Sequence, residues 1–226
     1  MEDFWFAKAK RLQAIACTGL AYCDDDYERE RLQETLDIAN GMLARLATAP
    51  VERIAQLSPD ARAYPTPKVD VRAAVIRDGR ILLVQERNNG RWTLPGGFAE
   101  IGYSAAENAE KEVMEEAGLK VRASALYGVR HKAKGPFPPD VRDFYKLYFL
   151  CQRLDDGAPA PGPETADAAY FAPDRLPHLC RDRVAAQAQQ LVARGQNGLG
   201  TGCGLGGCGA GHVVSGVVVV IGKAPS

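Results

Sequence analysis

The chain has 226 residues, with 28 Lys and Arg against 28 Asp and Glu, so its formal net charge is zero. Proteins that bind nucleic acid along an extended surface are normally basic, so this balance argues against a nucleic-acid partner but leaves a small phosphate ligand open. The hydrophobic fraction of 46% supports a substantial core in one large or two small domains.

The N-terminal sequence MEDFWFAKAK is charged and lacks the apolar stretch of a signal peptide. No apolar run reaches the roughly 18 residues that a membrane span needs. We therefore expect a cytoplasmic protein with no membrane partner. The cysteines are scattered along the chain, and without a secretory signal we interpret most of them as reduced thiols. They lie at Cys17, Cys23, Cys151, Cys180, Cys203 and Cys208.

Residues 1–62 show helical spacing of apolar side chains and no strand-like alternation. Trp5, Leu12 and Ile15 follow one helical face. A second helix is predicted from Tyr27 to about Leu46, after a run of three aspartates that can cap it, and a short third from Pro50 to Leu57. This small all-helical domain is either a cap on the protein or a dimerisation or substrate-lid module.

Residues 63–68, AYPTPK, form a linker that two prolines stiffen. Two β-rich runs then flank the sequence Arg-Asp-Gly-Arg, whose Asp-Gly tip predicts a hairpin. A last amphipathic helix is expected at Val184–Arg194. Strands are predicted at Val69–Ile76, Ile81–Gln85, Trp92–Leu94, Lys120–Val129, Phe144–Cys151 and Ala168–Ala172.

Residues 195–226 form a tail in which 11 of 32 residues are glycine, and the tail includes a Val-rich run at 213–221. We interpret this tail as a low-complexity appendage. The alternative is a metal site at Cys203, Cys208 and His212, which would lack a fourth ligand.

The most informative segment is Gly96–Leu119, GGFAEIGYSAAENAEKEVMEEAGL, which predicts a glycine turn, a loop and a helix from about Ala105 to Ala117. Ser104 and Glu107 have the spacing of a capping box. Gly118 suits the left-handed position just past the last helical turn.

Glu112, Glu115 and Glu116 fall within an arc of about 100° on this helix. Like charges at this spacing repel one another, so a cation must offset them. A divalent metal such as Mg²⁺, which favours carboxylates and phosphate oxygens, would do so. A solvated acidic face is the alternative.

This segment resembles the Nudix box, G-x5-E-x7-R-E-U-x-E-E-x-G-U, in which U is a bulky apolar residue. Seven of the nine fixed positions match with the spacing intact. Tyr103 replaces a Glu and Lys111 replaces an Arg. In the family these two side chains usually pair to brace the loop against the helix. Here a phenol could hydrogen-bond an ammonium instead.

The resemblance implies an α/β fold, a Nudix α/β/α sandwich with a mixed sheet over residues 69–194. The N-terminal domain resembles the helical extension ahead of some Nudix hydrolases that act on X-linked nucleoside diphosphates, chiefly in the tract TGLAYCDDDYERERLQE. The same resemblance implies Mg²⁺ or Mn²⁺ as the cofactor. It assigns the metal to Glu112, Glu115, Glu116 and the Gly97 carbonyl.

A general base outside the box is expected at Glu164, where many family members place an extra catalytic Glu, although a solvated loop acid is an equal alternative. Glu100 is a second candidate. Cations and aromatics near the box are candidates for contacts with the substrate's phosphates, base or ribose. They are Arg72, Arg87, Arg91, Trp92, Phe98 and Tyr103.

The sequence thus predicts hydrolysis of the pyrophosphate bond in a nucleoside diphosphate linked to another moiety, with ADP-ribose and CDP-choline as equally ranked substrate classes. The alternatives are a house-cleaning nucleoside triphosphate pyrophosphohydrolase and a non-catalytic nucleotide-sensing module. The apolar N-terminal helices, together with the habit of the family, favour a homodimer.

Overall fold

A computed structural model of the chain describes residues 2–59, 63–135, 137–172 and 174–177. The helix predicted at Val184–Arg194 and the tail at 195–226 lie outside the described residues. The contacts divide the chain into two units. The helical unit contains Met1–Lys68 and His131–Tyr145, and the sheet unit contains Val69–Arg130 and Lys146–Ser226. The grouping of His131–Tyr145 with the helices had no signal in the sequence.

The helical unit contains α1 (Phe4–Tyr22), α2 (Asp26–Ala47) and α3 (Val51–Leu57). Two aspartates begin the long helices. Asp3 accepts hydrogen bonds from the backbone N–H groups of the first turn of α1, and Asp25 accepts one in α2. Such N-caps satisfy helix donors that have no intrahelical partner. Within the described residues, none of the helices is long and apolar enough to cross a bilayer.

The helices of this unit pack through two small apolar clusters and one buried polar network. Close approach of α1 and α2 depends on Gly19, because a Cβ there would lie 2.7 Å from the Leu32 side chain. The Gln13 amide donates to Asn40 Oδ1 at 2.7 Å and to Ser58 Oγ at 2.6 Å. The clusters are formed by Phe6, Ala9, Leu43 and Ile54, and by Ala16, Cys17, Leu20 and Leu36.

The mostly buried ammonium group of Lys10 links the segment His131–Tyr145 to α1. Lys10 Nζ donates to the Glu2 carboxylate at 3.1 Å and to the Asp143 carboxylate at 3.3 Å. It also donates to the carbonyl oxygens of Asp140 and Arg142. A charged group that is mostly removed from water needs several such partners. This segment therefore has defined contacts within the helical unit.

The sheet has the strand order β3-β2-β1-β5-β4, with β6 also paired to β2. Pairing of β2 with β1, β3 and β6 is antiparallel. The hairpin tip predicted between the first two strands is present, with positive φ angles at Asp78 and Gly79. The strands are β1 (Lys68–Arg77), β2 (Arg80–Glu86), β3 (Trp92–Thr93), β4 (Val121–His131), β5 (Phe144–Arg153) and β6 (Thr165–Phe171).

One helix, α4 (Ala105–Ala117), packs on one face of this sheet. Its small side chains Ala109, Val113 and Ala117 join a fully buried cluster with β1 and β2. The strand residues that alternate with those of the first cluster form a second cluster, which includes Leu94 and Tyr148. A sheet carrying α4, with helices ahead of it in the chain, agrees with the predicted α/β architecture.

The glycine turn is fixed by the backbone that runs beside β1. Val71 N–H donates to the Gly97 carbonyl at 2.8 Å, and Ala73 N–H donates to the Pro95 carbonyl at 2.9 Å. Between them, Gly96 has a φ of +143°, where a Cβ would collide with the Val71 carbonyl. This conformation is open to glycine and strained for other residues.

We expect Gly96→Ala to lower the free energy of unfolding by about 3 kcal/mol or more, because backbone strain and displacement of β1 add together. Chemical denaturation measures this loss. Gly41→Ala is the matched control, since Gly41 lies in α2 with open space around it. That change should stabilise by roughly 0.5–1 kcal/mol. Equal effects of the two substitutions would contradict the assigned turn geometry.

Candidate active site

The position of α4 is set by the two ends that the sequence predicted. Ser104 N–H donates to Glu107 Oε2 at 2.7 Å, and Glu107 N–H donates to Ser104 Oγ at 3.2 Å. Gly118 follows the helix with a φ of +66°. The capping box and the glycine C-cap are therefore both confirmed.

Two carboxylates of α4 meet the glycine turn. Glu116 Oε2 accepts a hydrogen bond from Gly96 N–H at 2.8 Å. Glu112 Oε1 lies 2.5 Å from the point where a Cβ on Gly97 would sit, so the carboxylate lies against the turn and would have to shift if Gly97 carried a side chain. The Gly97 carbonyl, which the resemblance made a metal ligand, accepts the hydrogen bond from Val71 on β1.

The third carboxylate of the predicted set has a different partner. Glu115 Oε2 lies 3.0 Å from Lys111 Nζ, and the same ammonium lies 3.0 Å from Glu100 Oε1. The expected pairing of Lys111 with Tyr103 is therefore wrong. The Tyr103 side chain is 52% exposed, and Glu100 contributes the loop carboxylate instead.

The loop that carries Glu100 is held by Asn108, which the sequence analysis did not single out. Asn108 is buried in the first part of α4. Its Oδ1 accepts from Glu100 N–H at 2.9 Å, and its Nδ2 donates to the carbonyls of Glu100 and Ser104 at 3.3 and 3.1 Å. An amide that satisfies both backbone groups of one residue fixes the position of that residue.

A buried ion cluster lies in the strands next to the turn. The Arg72 side chain is 2% exposed and donates from Nε and Nη2 to the two Asp70 oxygens, each at 2.9 Å. Arg72 Nη1 donates to the Leu94 carbonyl, and Lys146 Nζ lies 3.1 Å from Asp70 Oδ1. Arg72, expected to contact substrate, is instead part of the interior.

This cluster affects the carboxyl groups around it. Burial disfavours the charged form of Asp70, but Arg72 and Lys146 outweigh it and hold the Asp70 pKa below its usual value. Arg72 interacts electrostatically with Glu116 and also opposes the rise in the Glu112 pKa. The buried guanidinium is therefore coupled to carboxylates of α4 as well as to Asp70.

The pKa of Glu112 is raised above its usual value. Burial is the largest cause, and the negative charges of Glu115 and Glu164 add to it. Glu164 is an exposed residue in the loop before β6, yet its charge acts on Glu112. Glu164 is therefore electrostatically coupled to a carboxylate of α4.

The placement of Glu164 depends on a loop that covers the C-terminal end of α4. Thr165 Oγ1 donates to the Glu116 carbonyl at 2.9 Å, and Ala160 N–H donates to the Ala117 carbonyl at 2.9 Å. Both carbonyls belong to the last helical turn, where intrahelical partners are missing. Thr165 had no signal in the sequence beyond its proximity to Glu164.

The remaining substrate candidates differ in their surroundings. The Trp92 ring packs edge-on against Phe171 with centroids 4.7 Å apart, which is a packing role. Arg87 Nη2 donates to the Thr165 carbonyl at 2.7 Å. Arg91, Phe98 and Tyr103 are exposed.

Glu112 and Glu116 fit a divalent metal by donor chemistry, because they are hard oxygen ligands and Gly97 leaves space beside them. Among the described residues, no three His, Cys, Asp or Glu side chains are arranged to hold a metal. Mg²⁺ is often bound by one or two protein carboxylates together with waters and substrate phosphates. The two carboxylates at the turn agree with that pattern.

We expect Asp70→Asn to destabilise the protein by about 3–5 kcal/mol at pH 7, because it removes a buried carboxylate that both Arg72 and Lys146 contact. The lowered pKa of Asp70 means that its contribution is present above about pH 4 and is lost as pH falls through the folded-state pKa. Urea denaturation at pH 7 and in acid measures this difference, which should shrink in acid. Asp78→Asn, at an exposed ion pair, is the control and should change stability by less than about 0.5 kcal/mol. A similar small effect for Asp70→Asn would contradict the buried cluster.

Residues 66–194 match the family described as NUDIX domain, and residues 3–57 match the family described as UDP-X-like, N-terminal oligomerisation domain. The chain is 43% identical over 179 residues to the "Putative ADP-ribose pyrophosphatase YjhB" of Bacillus subtilis (strain 168), covering 79% of this chain and 86% of the relative.

Two solved structures are also similar. A UDP-X diphosphatase is 34% identical, covers 86% of this chain and 94% of its own, and has a TM-score of 0.54. An ADP-ribose pyrophosphatase from Streptococcus suis 89-1591 is 37% identical, covers 58% of this chain and 92% of its own, and has a TM-score of 0.51.

Proposed function

The chain belongs to the Nudix family, and on that premise we propose that it hydrolyses the pyrophosphate bond of a nucleoside diphosphate linked to another moiety, using Mg²⁺ or Mn²⁺. The products are a nucleoside monophosphate and a phosphorylated second moiety. The observation that carries the proposal is the convergence of Glu112 and Glu116 on the glycine turn.

ADP-ribose is the first substrate class that we propose. Two similar proteins are named for ADP-ribose hydrolysis, and the N-terminal family match supports an X-linked nucleoside diphosphate. CDP-choline belongs to the same chemical class and remains the second candidate. Both contain the anhydride linkage that the proposed chemistry requires.

In the proposed mechanism, Glu112 and Glu116 hold the metal, and Glu115 and a backbone carbonyl of the glycine turn, with Gly97 the first candidate, complete its ligands. When bound, the divalent ion neutralises phosphate charge and lowers the pKa of a water. Glu164 accepts the proton from the attacking water.

The attack forms a bond between the water oxygen and one phosphorus, and the bond from that phosphorus to the bridging oxygen breaks. Arg87 and Arg91 are exposed cations on the segment that leads into the box, and they contact the phosphates in this proposal. Phe98 and Tyr103 are exposed in the loop before α4 and offer flat faces to the base or ribose.

The first experiment measures phosphate released through a coupled phosphatase from a panel of nucleotides with Mg²⁺ or Mn²⁺. The panel contains ADP-ribose, CDP-choline, UDP-glucose, NADH and the nucleoside triphosphates. We expect a diphosphate conjugate to dominate. Turnover of triphosphates alone would favour the pyrophosphohydrolase alternative. Nucleotide binding without turnover would favour the sensing module.

Variants then separate the roles of the carboxylates. Glu116→Gln should remove Mn²⁺ binding and turnover together, because it removes a ligand. Glu164→Gln should lower kcat by about 100-fold or more while Mn²⁺ binding persists, as expected for a general base. Glu34→Gln, at an exposed position on α2, is the control and should match the wild type. Full activity of Glu164→Gln would exclude Glu164 as the base.

We also propose a homodimer formed through α1. Five large apolar side chains of α1 are exposed along an arc of about 100°. Large apolar side chains exposed on one side of a helix are typical of an interaction site. The family matched by residues 3–57 is described as an oligomerisation domain, so a second copy is the proposed occupant. The surface consists of Phe4, Trp5, Leu12, Ile15 and Tyr22.

We expect the double substitution Trp5→Glu and Ile15→Glu to halve the mass measured by sedimentation equilibrium, because it places charges in the proposed interface. Circular dichroism should show unchanged helix content, which separates dissociation from unfolding. A wild-type monomer, or a variant that stays dimeric and folded, would contradict the proposed interface.

A further inference from the structure

We propose that Glu100 is a positioning residue that acts through Lys111, and that Lys111, shared between Glu100 and Glu115, sets how readily Glu115 joins a divalent cation. This inference rests on the proposed function, because it assumes a metal at the carboxylates of α4. It concerns a residue outside the fixed positions of the box.

The first observation is the symmetry of the two contacts. Lys111 Nζ lies 3.0 Å from Glu100 Oε1 and 3.0 Å from Glu115 Oε2. Both carboxylates raise the pKa of Lys111, and hydrogen bonding to Glu115 is the largest of these causes. One ammonium therefore bridges the loop and the acidic face of the helix.

The second observation is that Glu100 cannot easily leave this position. Asn108 is buried and binds both backbone groups of Glu100, at 2.9 Å and 3.3 Å. Lys111 lies three residues further along α4, on the adjacent turn. The backbone of Glu100 is thus fixed to the same helix that carries Lys111. The Glu100 carboxylate therefore competes with Glu115 for hydrogen bonds from the Lys111 ammonium.

The third observation is the different state of the other two carboxylates. Glu116 is bound to Gly96 N–H and Glu112 lies against Gly97, so both already face the turn. Glu115 would have to exchange its Lys111 contact for a metal contact. This exchange is easier when Glu100 takes part of the ammonium's hydrogen bonding, and harder when Glu115 is the only partner.

The geometry therefore predicts effects of opposite sign. Without the Glu100 carboxylate, Lys111 is held by Glu115 alone, and cation binding weakens. Without the Lys111 ammonium, Glu115 is released and cation binding strengthens. If Glu100 acts through Lys111, its removal has no further effect once Lys111 is gone.

The test measures Mn²⁺ dissociation constants of the full-length protein, without nucleotide, from the electron paramagnetic resonance signal of free Mn²⁺. We expect Glu100→Gln to weaken binding by about threefold and Lys111→Met to tighten it by about threefold, the range of exposed ion pairs. The double variant should match Lys111→Met. These measurements require no turnover.

The wild type, the two single variants and the double variant form a double-mutant cycle. Two control variants accompany this cycle. Lys111→Arg keeps the positive charge. Its Mn²⁺ dissociation constant should therefore remain within about a factor of two of the wild-type value. Glu107→Gln changes another carboxylate at the same loop–helix junction, one that caps Ser104 and does not contact Lys111. It should leave the Mn²⁺ dissociation constant unchanged.

Several outcomes would overturn the inference. Equal weakening by Glu100→Gln with and without Lys111 would show that Glu100 acts on the loop alone. An unchanged dissociation constant in Lys111→Met would show that the ammonium does not control Glu115. Wild-type protein that binds no Mn²⁺ would overturn both this inference and the proposed metal dependence. Normal Mn²⁺ binding with the predicted cycle but no hydrolysis of the panel would leave this inference standing and reject the proposed activity.

Discussion

The hydrogen bond from Gly96 N–H to Glu116 connects the two parts on which the candidate site depends, the glycine turn and α4. It requires a backbone conformation at Gly96 that other residues adopt only under strain. The bonds of the neighbouring residues to β1 hold that conformation in place. The position of the carboxylate is therefore fixed by the sheet as well as by the helix.

Charge balance is the second constraint on the site. Like charges at Glu112 and Glu116 repel, and a buried guanidinium such as that of Arg72 is costly unless opposite charges are nearby. The electrostatic attraction between Arg72 and both carboxylates lowers both unfavourable free energies. The interior cluster thus stabilises the acidic face of α4.

The loop between the turn and α4 shows how a substitution in a motif can be accommodated. Tyr103 and Lys111 depart from the Nudix pattern. The Lys111 ammonium pairs with Glu100, which lies three residues before Tyr103 in the loop. Asn108 makes this possible by fixing the backbone of Glu100. A contact between loop and helix is retained, but different residues form it.

The sequence by itself determined the features that depend on local spacing. The capping box at Ser104, the C-cap at Gly118 and the grouping of three carboxylates on one helix follow from a period of 3.6 residues and from local hydrogen bonding. Only the tertiary structure decided two further contacts, that of Lys146 on β5 with Asp70 on β1 and that of Glu100 in the loop with Lys111 on α4. The members of each pair lie on different elements, so chain folding, and no local rule, sets their distances. A charged residue in an apolar strand indicates a buried ion pair in general, but the sequence does not contain the register that identifies the partner.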